Sequence, residues 1–115
     1  FLHVLKTADI NNPAQANAMT PTERIDGDTM VGAYIKDETQ GYKVAMFSKT
    51  EANQVNAAYS ISASQPVSHL IADLAPFGTY DVYHDGKQLA TFPASEAGTL
   101  SFNSNGGGNF HTKNP

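Results

Sequence analysis

The sequence predicts an all-β fold, an antiparallel β-sandwich of about eight to nine short strands, and three observations carry that reading. Asp85-Gly86 lies between two runs of β-formers, and a two-residue type I′ hairpin needs φ > 0 at both central positions, which Asp-Gly tolerates. Turn signals recur roughly every ten residues along most of the chain, the spacing of antiparallel meanders. No segment carries the apolar stripe of an amphipathic helix. A closed barrel is the second architecture that fits the same pattern.

Taken in order, Phe1-Leu2-His3-Val4-Leu5 reads as a buried strand, with His3 as a core or edge histidine. Residues Thr7 to Thr22 read as a long connection with at most a helical turn. Such a connection crosses between sheets or forms a rim over a site. Ile25-Asp26-Gly27-Asp28 is a turn with two acids. A calcium loop needs more acids at another spacing, so a solvated turn is the expectation. Thr29 to Lys36 is apolar on both faces and reads as a central strand. It pairs through a five-residue turn, Asp37 to Gly41, with Tyr42 to Ser48. Lys49 to Val55 is a polar loop.

Asn56 to Ala63 alternates, with Ala57, Tyr59, Ile61 and Ala63 inward and a wet face opposite. Ser68 to Leu74 alternates too, with Leu70, Ala72 and Leu74 expected inward. After the turn Ala75-Pro76-Phe77-Gly78, the strand Thr79 to His84 places Tyr80, Val82 and His84 on one face. Thr79, Asp81 and Tyr83 lie on the other. Lys87 to Phe92 returns from the Asp85-Gly86 turn. Turns at Ala97-Gly98 and Gly106-Gly108 delimit the last two strands.

The 115 residues fit one domain, 1–115, able to bury roughly two-thirds of its unfolded surface. The start at Phe1 is read as the mark of a fragment of a longer secreted protein. Charged residues are 16%, and Asn, Ser, Thr, Gln and Gly take their place, a mixture common on extracellular β-domains. Without cysteine there are no disulfides and no thiolate metal sites. The seven Lys and Arg are scattered and the net charge is −4, which argues against a nucleic-acid partner. No apolar run reaches the length of a membrane helix, so no membrane partner is expected.

The four histidines, His3, His69, His84 and His111, show no metal-ligand spacing, and no cofactor or metal is expected. There is no Gly-x-Ser-x-Gly elbow and no nucleophilic cysteine, and Gly106-Gly107-Gly108 lacks the Lys-Ser/Thr and helix of a phosphate loop. No catalytic residue is assigned. Tyr34, Tyr42, Tyr59, Tyr80 and Tyr83 either finish the core with hydroxyls toward water or offer rings on which a sugar could stack. If the chain binds a ligand, Asp81 and Tyr83 beside the Asp85-Gly86 turn are the expected site. The net charge of −4 favours neutral or lightly charged glycans over sulfated or uronate-rich ones.

Three stretches in order resemble the C-terminal β-sandwich of heparinase II/III-like polysaccharide lyases, a family of secreted bacterial enzymes. They are Phe1 to Lys6; Thr29 to Lys36 followed by Tyr42 to Ser48; and the closing Leu74 to Val82, Asp85-Gly86-Lys87 and Gly98 to Phe102. The resemblance implies that catalysis belongs to an α-helical toroid and an adjoining larger sandwich, so that this chain is not itself an enzyme. It implies a secreted or periplasmic accessory domain whose partner is the catalytic domain of the same parent protein, with a polysaccharide as a further candidate partner. A carbohydrate-binding module and an adhesin-like or structural interaction module, with Phe1 to Leu5 as a strand shared between chains, are the alternatives.

Overall fold

The computed structural model describes residues 22–50, 53, 54 and 56–114. The expected strand Phe1 to Leu5 and most of the Thr7 to Thr22 connection lie outside them. Among the described residues nine strands form two packed sheets: β1 (Thr22–Asp26), β2 (Met30–Asp37), β3 (Gly41–Ser48), β4 (Asn56–Ile61), β5 (Val67–Ile71), β6 (Thr79–His84), β7 (Lys87–Pro93), β8 (Leu100–Ser104) and β9 (Gly108–Lys113). One sheet runs β1-β2-β3-β5-β8 and the other β4-β9-β6-β7. The architecture is the expected sandwich. Every strand pair is antiparallel except β3 with β5. That exception follows from connectivity. The chain leaves β3, lays β4 into the opposite sheet, and returns beside β3 in the same direction.

Several details differ from the sequence reading. Thr22 to Asp26 is a strand. With Ile25 its one buried residue, it carries too little alternation to be seen. The β2–β3 hairpin closes tighter than expected, because Asp37 and Gly41 pair across a three-residue loop. There the Asp37 carboxylate accepts from the Thr39 and Gln40 amides. The Asp85-Gly86 turn forms as expected, with φ of 52° and 81°. Next to it β7 holds an extra residue, since Val82 faces Ala90 and Tyr83 faces Gln88, leaving Leu89 in a bulge.

The largest correction is the frame of β5. Val67, His69 and Ile71 point inward, and Leu70, expected in the core, lies on the outer face. The run Val67-Ser68-His69-Leu70-Ile71 carries apolar residues in both alternations, so the pattern does not choose. Pairing does: Val67, His69 and Ile71 align with Tyr42, Val44 and Met46 on β3, and Val44 and Met46 are fully buried. Asp73 then adopts φ of 59°, and Leu74 turns back into the core as expected.

A histidine is tolerated at that depth because both of its ring nitrogens are bonded. Ser104 Oγ donates to the Gly106 carbonyl at 2.9 Å. Its proton is thereby committed, so it must accept from His69 Nε2–H at 2.8 Å. Nδ1 is left as an acceptor, and the Tyr59 hydroxyl donates to it at 2.7 Å. The relay runs one way, from Tyr59 on β4 across the sandwich to the β8–β9 turn. Phe102 stacks flat on the imidazole, centroids 4.4 Å apart at 5°, and Phe110 packs from the opposite sheet at 4.5 Å. Burial raises the Tyr59 hydroxyl far above its ordinary value and pulls His69 down to about 4, with His84 adding a smaller repulsion.

The sign of the pH effect follows. In the unfolded chain His69 takes up a proton near its ordinary value of 6.5, while the folded core keeps it neutral down to about 4. Its contribution is complete above pH 6.5 and is lost as pH falls to about 4, on the order of 3 kcal/mol in all. Urea unfolding at pH 7.5 and pH 4.5 is expected to show this loss, and a His69→Gln variant, less stable throughout, should lose less over the same interval. Thr112 gives a second test. It is fully buried between Ala57 and Val82, and its Oγ1 has no hydrogen-bond partner among the described residues. Thr112→Val removes an unsatisfied group at nearly constant shape and should raise stability by about 1 kcal/mol, read as an increase in thermal midpoint.

Candidate functional site

Alternation decides what the four-stranded sheet shows to solvent. Its inward residues, Ala57, Tyr59, Tyr80, Val82, Phe110 and Thr112, are buried. Its outward residues align in rows because the strands are in register. Ala58, His111, Tyr83 and Gln88 stand abreast, and Asn56, Lys113, Asp81 and Thr91 form the next row. The Tyr83 and His111 rings lie 6.1 Å apart, tilted by 34°. Beside them Ser60 Oγ donates to Asn109 Oδ1 at 2.5 Å. Asp81 Oδ1 accepts from Thr91 Oγ1 at 2.5 Å and from Gln88 Nε2 at 3.2 Å.

The β1–β2 turn raises a wall along one edge of this face. The Asp28 amide donates to the Ala58 carbonyl at 3.2 Å, and Thr29 Oγ1 donates to the Asn56 carbonyl at 3.0 Å, tying the turn of one sheet to β4 of the other. From behind, Lys49 Nζ donates to the Gly27 carbonyl at 2.8 Å. The approach requires glycine at 27, where a Cβ would sit 2.3 Å from the Ala58 carbonyl oxygen. Between wall and face lies an open groove of about 1050 Å³, with Arg24, Asp26 and Asp28 on the wall and Ala58, Ser60, Tyr83, Asn109, His111 and Lys113 on the floor. Arg24 Nε bonds Asp26 at 3.1 Å, so that pair is neutral as a unit.

The two residues expected from sequence separate here. Tyr83 is in the groove floor, half-buried. Asp81 is on the same face but one row away, its carboxylate held by Thr91 and Gln88, and does not line the groove. Of the histidines, His69 and His84 serve the core, His84 donating from Nε2 to the Gly107 carbonyl at 2.8 Å. His3 lies outside the described residues. His111 is exposed in the groove. Tyr34, Tyr59 and Tyr80 are buried with bonded hydroxyls, and Tyr42 bonds Glu38 at 2.5 Å. Asp26 and Asp28 stand on the groove wall. Among the described residues no group of three or more His, Asp or Glu is placed to hold a metal ion.

Sequence reading missed Arg24, Ser60, Asn109, His111 and Lys113 as neighbours of Tyr83. The alternation of β4 did place Ser60 on the wet face. The pairing of β9 between β4 and β6, which brings Asn109, His111 and Lys113 alongside, is written nowhere locally.

The sequence model of the heparinase II C-terminal domain matches residues 24–113. The chain belongs to the heparinase II C-terminal domain family. The match begins within β1 and ends within β9, so it coincides with the sandwich. No curated protein matches the chain.

In this heparinase II C-terminal domain the groove depends on the wall staying against β4. Gly27→Ala should push the turn away from Ala58 and cost about 1–3 kcal/mol, as crowding of packed backbone does. Differential scanning calorimetry and amide shifts of Asp28 and Ala58 check both effects together.

Proposed function

We propose that this chain is a non-catalytic accessory β-sandwich of a longer, secreted or periplasmic polysaccharide-degrading enzyme, and that it packs on the catalytic domain of the same polypeptide through the outer face of the five-stranded sheet. Family membership supports the first part, since the match is to a C-terminal domain of a heparinase. The observation that carries the second is the composition of that face. The outer face of an antiparallel sheet is ordinarily polar. Here Val31 lies opposite Phe47, Ala33 opposite Ala45, Ala45 opposite Leu70, and Ile35 continues the stripe. Phe47 and Leu70 remain 37% and 40% exposed. Lys43, Ser68, Ser101 and Asn103 border the stripe as a polar rim. An apolar centre with a polar rim is the anatomy of a protein interface.

The groove on the other sheet contributes to the same reading. Tyr83 and His111 meet as tilted rings, and among the described residues no hydrogen bond joins them as an acid–base pair. The isolated chain is therefore expected to produce no unsaturated ends from uronic-acid polysaccharides, followed by ultraviolet absorbance. Appearance of that absorbance at enzyme-like rates would overturn the non-catalytic reading.

Docking is tested in the parent enzyme by Leu70→Asp and Phe47→Asp. Both side chains are partly exposed on the outer face, so the sandwich should keep its stability within about 1 kcal/mol. The domain should become separable, with faster limited proteolysis between it and the rest of the enzyme. Unchanged proteolysis in both variants would reject this face as the interface.

A further inference from the structure

We propose that the groove between the β1–β2 turn and the outer face of the four-stranded sheet binds a neutral or lightly charged glycan, with the Tyr83–His111 ring pair as its stacking platform. The proposal rests on the accessory reading only for choosing a polysaccharide as the occupant. The geometry is argued from the groove itself.

A pyranose ring offers an apolar face of C–H groups and an equatorial belt of hydroxyls. It needs an aromatic surface beneath it and planar polar groups beside it. The floor supplies two neighbouring rings, 6.1 Å apart and 34° from coplanar, wide enough together to underlie one sugar and the start of the next. The polar groups stand on both sides: Ser60 and Asn109 on the floor beside the rings, and Asp28 with the Arg24–Asp26 pair on the wall. The groove is open to solvent, and at about 1050 Å³ it has room for more than one residue of a polymer chain.

Charge selects among glycans. Arg24 and Lys113 are offset by Asp26 and Asp28, so the four Lys, Arg and Asp charges of the lining sum to zero. Arg24 is already bonded to Asp26. Lys113, with no ion-pair partner among the described residues, can meet an occasional carboxylate. A densely sulfated chain would meet only Lys113 as an unpaired cation among the described lining residues and would face the overall −4 charge. Position also fits. The groove floor is on the sheet opposite the apolar stripe, so a domain docked through Leu70 and Phe47 leaves the Tyr83–His111 platform in solvent.

The test is a nuclear magnetic resonance titration of the 115-residue chain with cellohexaose, mannohexaose and xylohexaose, with a heparin hexasaccharide as the sulfated comparison. Saturable shifts clustered at Ser60, Tyr83, Asn109 and His111 are expected with at least one of the first three, and weaker ones with heparin. Tyr83→Ala and His111→Ala should each weaken that binding about tenfold or more, as loss of a central aromatic contact does. Should Tyr83→Ala fail to fold, the exposed His111 and the shift map on the unmodified chain still decide. Four results overturn the proposal: no shifts with any of the first three glycans, shifts centred elsewhere, unchanged affinity in folded variants, or heparin binding tightest. Each reads the groove alone and leaves the docking face, tested by proteolysis of Leu70→Asp and Phe47→Asp, to stand or fall separately.

Discussion

A one-way chain of hydrogen bonds, Tyr59 to His69 to Ser104 to the Gly106 carbonyl, runs through the middle of an otherwise apolar core. The register of the surrounding strands depends on it. A buried imidazole is costly unless both nitrogens are bonded, and the two partners lie on different strands in different sheets. Slipping β5 by one residue would break both bonds and turn Leu70 inward. The relay therefore fixes β5 against β3 and β8, sets the distance to β4, and ends on the β8–β9 turn. His84 anchors that turn independently at the Gly107 carbonyl. Phe102 and Phe110 close around the imidazole and keep water from competing for its bonds.

That turn is also held from its neighbour. The Asp85 carboxylate accepts from the Asn109 amide at 2.8 Å, and the Asp85 amide donates to the Asn109 carbonyl. The Asp85-Gly86 turn and the start of β9 are thus clasped together. Asn109 in turn points its side chain to Ser60 in the groove. A chain of contacts leads from the core histidine to the floor of the candidate site, so the platform formed by Tyr83 and His111 is set by the same packing that fixes β9.

The two outer faces of the sandwich have different chemistry for a reason visible in the topology. The five-stranded sheet carries Val31, Ala33, Ile35, Ala45, Phe47 and Leu70 outward, and its strands β2 and β3 are apolar on both sides. The four-stranded sheet carries amides, hydroxyls, charges and two rings outward, with a wall beside them built by a turn borrowed from the other sheet. One face suits contact with protein and the other suits a hydrated ligand, and they point in opposite directions.

The sequence by itself determined the all-β class, the central place of β2, the inward faces of β4 and β6, and the Asp85-Gly86 turn. Each of these rests on local physics: alternation with one wet face, two apolar faces, or a dipeptide that accepts positive φ. It also carried enough of the family pattern for the C-terminal sandwich to be named. Tertiary structure alone decided the rest. β1 became a strand because β2 offered it an edge, although Thr-Glu-Arg-Ile-Asp has a single apolar residue. β5 took the frame that puts His69 inside, because both of its alternations are apolar and only pairing with β3 and bonding to Tyr59 and Ser104 separate them. Tyr83 was legible as an outward ring. His111, Asn109 and Lys113 became its neighbours only when β9 was placed between β4 and β6, a pairing between segments distant in the chain that no local residue pattern encodes.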